Sequence, residues 1–144
     1  MLRATSILLS LAVATGIAAQ TPTAWLGEAD IKQSFSGVEI DGVYVDGMKF
    51  TESYDATGAI VYRDTRKALI GRWSVVNGAF CTLYQGAITG GCFKVVKVSA
   101  NCFEFYFLAD SEEESATPDP GRPKWIARGW NKKHAATCDD KPLV

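Results

Sequence analysis

From residue 37 onward the chain is interrupted every few residues by turn signals, and only short strands fit between them. Asp46-Gly47 and Asn77-Gly78 are the dipeptides most favoured in two-residue hairpins, where both central residues need positive φ. Asp55-Ala56-Thr57-Gly58 reads as a longer hairpin loop, Gly86 opens another reversal, and Ser99-Ala100-Asn101 marks a further one. The runs between are rich in Val, Ile, Phe, Tyr and Trp. They predict eight strands: Val38–Val45, Met48–Tyr54, Ala59–Asp64, Leu69–Val76, Ala79–Gln85, Cys92–Val98, Cys102–Leu108 and Trp125–Trp130. One short helix, about Gly27–Phe35, precedes them, with Leu26, Ile31 and Phe35 on one side and Gly37 as a stop. The fold class expected is all-β: an antiparallel up-and-down meander that closes into a small lipocalin-like barrel with no exposed edge. A barrel of eight strands is just wide enough to fill with side chains or to hold one small ligand, and strands this short favour a filled or nearly filled interior.

The N-terminus carries an export signature. Met1-Leu2-Arg3 gives a positive start, Ile7 to Ala14 is apolar except for Ser10, and Gly16-Ile17-Ala18 supplies small residues before a cut. Residues 1–18 read as a signal peptide and 19–144 as one domain. The apolar stretch is too short to span a bilayer, which takes about 20 residues, so a soluble periplasmic or secreted protein is expected. No cysteine follows the cut, which argues against a lipid anchor. Cys81, Cys92, Cys102 and Cys138 form an even set in an oxidising compartment and read as two disulfides. Three connectivities are possible. A reversal at Gly86-Ala87 would set Cys81 opposite Cys92, leaving Cys102 for Cys138. Zinc is the competing reading, but there is no C-x₂-C knuckle and no histidine pair.

The formal charge of −1 becomes −2 once Arg3 is lost, and the basic residues are scattered. That excludes a phosphate-tracking nucleic-acid binder. Residues 110–121 are acidic and rich in turn formers, a solvated loop whose spacing does not match a calcium loop. The only histidine, His134, sits in a polar tail. With the cysteines oxidised and no G-x-S-x-G, H-E-x-x-H or phosphate-cradling loop, no catalytic, metal or cofactor site is expected.

Strand phase sorts the side chains into two faces. Phe50, Glu52 and Tyr54 share one face of the second strand, Trp73 and Val75 one face of the fourth, and Phe103, Phe105 and Phe107 one face of the seventh. Trp73, between polar Arg72 and Ser74, is expected in the core. Glu52 is the one carboxylate whose phase points it inward, and a buried carboxylate needs a partner or stays protonated. Arg128 on the last strand is the first candidate partner. Phe50, Glu52, Tyr54, Trp73 and Arg128 are therefore the pocket candidates. The last two strands carry large apolar groups on both faces, Tyr106 and Leu108 opposite the phenylalanines and Ile126 and Trp130 opposite Trp125. That implies covering on both sides or a contact surface.

Gly71-Arg72-Trp73-Ser74-Val75, then Gly78, Cys81, Tyr84 and Cys92-Phe93-x-Val95, resemble a pattern in small exported proteins of alphaproteobacteria, as does Phe50-x₃-Tyr54-x₃-Gly58 upstream. The resemblance spans roughly residues 26–108 and implies a lipocalin-like or half-barrel β-domain and export. It brings no catalytic residue with it, and Cys102 and Cys138 lie outside it. The reading is an exported barrel that binds a small apolar ligand. The alternative is a protein–protein module or enzyme inhibitor of the envelope or extracellular space.

Overall fold

In the computed structural model, residues 25–86, 90–108 and 125–138 are described. The expected signal peptide, the reversal at Ala87 and the acidic segment 110–121 lie outside them. Helix α1 (Glu28–Phe35) is followed by eight strands: β1 (Val38–Tyr44), β2 (Lys49–Tyr54), β3 (Ala59–Arg63), β4 (Ala68–Val76), β5 (Ala79–Tyr84), β6 (Gly90–Ser99), β7 (Cys102–Phe107) and β8 (Ala127–Asn131). Every strand pairs antiparallel with its neighbours in sequence, and β8 returns to β1, so the sheet is a closed barrel. The expected fold class is the observed one. The turns sit where their chemistry requires: Asn77 and Gly78 both have positive φ, at 50° and 72°, as a two-residue hairpin demands.

The helix plugs one end of the barrel. Gly37, at φ 74°, breaks α1, and its N–H donates to the Tyr54 carbonyl, tying the helix end to β2. Ile31 and Phe35 are fully buried. The Phe35 ring lies 5.1–5.7 Å from the rings of Tyr54, Phe80, Phe103 and Phe105, which reach it from β2, β5 and β7. Trp73 packs edge-on to Tyr54 and tilted against Phe80 and is buried, as its strand phase predicts. Its indole N–H donates to the Asp55 carbonyl at 2.9 Å, which keeps the polar end satisfied.

Both disulfides join the expected partners. Cys81 faces Cys92 across the β5–β6 ladder, on the outer side of the barrel. Cys102–Cys138 holds the C-terminal segment to the start of β7. Asn101 reinforces that attachment. Its side-chain N–H groups donate to the carbonyls of Asn131, His134 and Ala135, and its Oδ1 accepts from the Asn131 N–H.

The outer face of β7 and β8 corrects one expectation. Arg128 does not meet Glu52. It points outward and donates to Glu104 Oε1 from Nε at 2.8 Å and Nη2 at 2.6 Å. The strand register explains this, because Glu104 pairs directly with Arg128 and so shares its face. Tyr106 donates to the other Glu104 oxygen at 2.6 Å, Trp125 lies under the guanidinium at 4.6 Å, and Trp25 packs edge-on against Tyr106. The aromatic groups on this side thus cover a largely buried ion pair. The inner face of β8 holds the small residues Ala127 and Gly129.

Candidate functional site

The end of the barrel opposite the helix is hollow. A cavity of about 680 Å³ opens beside the β1–β2 and β3–β4 connections. The expectation of a filled interior therefore holds only for the helix half. The room comes from the inner face itself. A Cβ on Gly42 would run into the Phe50 ring, so that glycine lets the ring lie flat against β1. Across β8, Ala127 adds little bulk to the wall.

Aromatic rings form much of the wall. Phe50 sits between Tyr44, 4.6 Å away, and Tyr62, stacked at 6.1 Å, while Tyr62 meets Tyr84 edge-on at 5.7 Å. Leu69, Phe93, Phe107 and Ile126 add to the apolar lining, with Phe80 and Thr82 deeper inside. Inward phase on β1, β2, β3 and β5 places all four of the Tyr and Phe side chains of this cage, and that phase was readable for each. Sequence reasoning nominated only Phe50, because nothing in the chain showed which layer of the barrel would be left empty.

Glu52 lies on the cavity floor, as its phase predicts, and is buried. Tyr54 donates to its Oε2 and Tyr84 to its Oε1. Two opposing effects act on the carboxyl. Loss of hydration is the larger and raises its pKa, while the two phenol hydrogen bonds favour the ionised form and pull the other way; the net shift is upward. Burial and the neighbouring carboxylate likewise hold the Tyr54 and Tyr84 phenols far above their usual range, so both remain proton donors. Tyr44 is pushed up to about 12 by burial and then by Glu52. Nearer the rim, Tyr62 donates its hydroxyl proton to Asp64 Oδ2 at 2.9 Å.

Among the described lining residues the one cation is Lys67, at the rim, with Nζ 5.9 Å from the Tyr62 ring centroid. Of the five residues nominated from sequence, Phe50 and Glu52 line the cavity. Tyr54 stands behind Glu52 as a donor, Trp73 lies deeper in the core, and Arg128 is outside the barrel. A second hollow, of about 860 Å³, is a groove over the Cys81–Cys92 bridge lined by Arg72, Ser74 and Leu83. It is larger but lies on the outer face and holds no carboxylate, so the barrel cavity is the stronger candidate. Among the described residues no group of His, Cys, Asp and Glu could hold a metal ion, and no helix is long and apolar enough to cross a membrane. No family model matches the chain, and no curated protein and no solved structure was found similar to it.

Proposed function

We propose that this chain is an exported binding protein that takes a small, largely apolar molecule into the open half of its barrel. The observation that carries this reading is the cavity itself: about 680 Å³, walled by aromatic and aliphatic side chains, with one hydrogen-bonded carboxyl at its floor. That volume and that mixture of apolar wall and few polar groups are what small-molecule sites have. The two disulfides fit an oxidising compartment, and the signal-like N-terminus supports periplasmic or secreted residence.

The test is titration with the uncharged fluorescent probe N-phenylnaphthylamine. Saturable one-to-one binding is expected. Leu69→Trp, which fills the cavity wall, should abolish it, while Leu83→Trp on the outer face should leave it unchanged. No binding, or binding indifferent to Leu69→Trp, would defeat the reading. A docking module is the second reading. Leu83, Phe107 and Leu108 are all substantially exposed, and the last two stand immediately before the acidic segment. Native mass spectrometry of the protein taken from its own compartment separates the two, a retained small molecule favouring the first and a protein complex the second.

A further inference from the structure

We propose that the preferred occupant is an organic amine, bound as its ammonium ion with the charge against Glu52 and an aryl or alkyl body against the aromatic wall. The proposal rests on the cavity being a binding site and names the chemistry that fits it.

Three features point to a cation. First, Glu52 has acceptor capacity to spare. A carboxylate offers about four lone-pair directions, and the two phenols supply one hydrogen bond to each oxygen. Both of those donors are neutral, so among the described residues the floor has an acid without a counter-charge. Second, the wall is built from rings whose faces are negative. Tyr44, Phe50, Tyr62 and Tyr84 surround the approach to Glu52, and such faces attract ammonium groups, more strongly when water is excluded. Lys67 already lies over the outer side of this cage, its Nζ near the Tyr62 ring. Third, the remaining ionisable groups described along the cavity bring no excess of positive charge. Asp46 and Asp64 stand at the rim with Lys67 and with Arg66, whose guanidinium donates to Met48 Sδ at 2.9 Å, and Tyr44, Tyr54, Tyr62 and Tyr84 stay neutral. An anionic head entering this space would face Glu52 and the ring faces together.

A neutral ligand body gains only the apolar wall. An ammonium gains the wall and also a charge partner in a site where such a pair is little screened. Because burial raises the Glu52 pKa above its ordinary value, affinity for the amine should rise with pH through the Glu52 titration, and within that range binding the ammonium releases a proton.

Calorimetric titration of the disulfide-intact mature chain with tryptamine, tryptophol and indoleacetate tests this, since the three share a ring system and differ in head-group charge. Tryptamine is expected to bind at least about tenfold more tightly than tryptophol near neutral pH, and indoleacetate least well. Glu52→Gln should erase the amine's advantage over tryptophol and the pH dependence of amine binding. The comparison among the three probes on the wild type needs no variant to fold. Equal affinities, tightest binding of indoleacetate, or an amine preference that survives Glu52→Gln would overturn the proposal. If N-phenylnaphthylamine binds while the amine shows no preference, only this inference falls. If none of the four binds, the cavity-binding reading falls with it.

Discussion

Replacing Glu52 by Gln should stabilise the empty barrel, by an amount that grows with pH. In the fold the side chain sits among Tyr54, Tyr84 and apolar walls, with no cation among the described residues facing it. Gln has the same shape and can keep both contacts, accepting from one phenol and donating to the oxygen of the other. What it removes is the cost of ionising a buried acid. In the unfolded chain Glu52 titrates at its ordinary 4.5, and in the folded barrel it titrates higher because burial outweighs the phenol bonds. Below that ordinary value both states are protonated, and the two proteins should differ little. Between the unfolded and folded values the native state holds a proton that the unfolded chain has released. Wild-type stability then declines as pH rises, by up to about 1.4 kcal/mol per pH unit, and levels off above the folded value. The variant lacks that slope. Urea melts of both proteins from about pH 4 to about pH 8, followed by tryptophan fluorescence, isolate Glu52, because the other groups cancel in the difference. A difference that does not change with pH, or a variant that loses ground as pH rises, would show that the carboxylate is held ionised and would refute the reasoning.

Two further outcomes follow from the plugged end. Phe35→Ala should cost about 3–5 kcal/mol in the same melts, since the ring is fully buried against four others; a loss under about 1 kcal/mol would show that the helix is not seated. Replacing Cys102 and Cys138 together by Ser should cost up to about 4 kcal/mol, the loop-closure figure for a bridge of that span. Release of residues 132–138 should show as faster hydrogen exchange there than at the β1–β2 ladder, and unchanged exchange would mean that Asn101 alone holds the tail.

The strands were legible because their ends are written in turn chemistry. Asn77-Gly78 and Asp46-Gly47 bound β4, β5, β1 and β2 to within about two residues. Inward phase placed Glu52 and Trp73 correctly, since side-chain alternation in a strand is strict. Arg128 was misplaced because the inward residues of β8 are the small ones on either side of it, Ala127 and Gly129, which carry no apolar bulk to mark the core face. Glu104 was the available signal. It lies between two inward phenylalanines and must therefore face out, on the strand that neighbours Arg128. The cavity was not legible. Whether a layer of a barrel fills depends on how rings from eight strands lean, and Gly42 decides the tilt of Phe50 through a contact across the sheet.

The closure of the sheet has a consequence for how the chain is made. β1 finds its second neighbour only in β8, where Ile40 pairs with Asn131 near the far end of the sequence. Until that last strand has emerged, β1 and β7 are both raw edges, each offering a row of unpaired backbone groups to any other chain. Contacts so distant in sequence form slowly. Delivery of the chain, N-terminus first, thus leaves a long interval in which an almost complete sheet is open to mispairing. A chain cut short before residue 127 would remain in that condition permanently. The last strand is accordingly a latch, and the Cys102–Cys138 bridge beside it is formed between a residue made before the latch and one made after it.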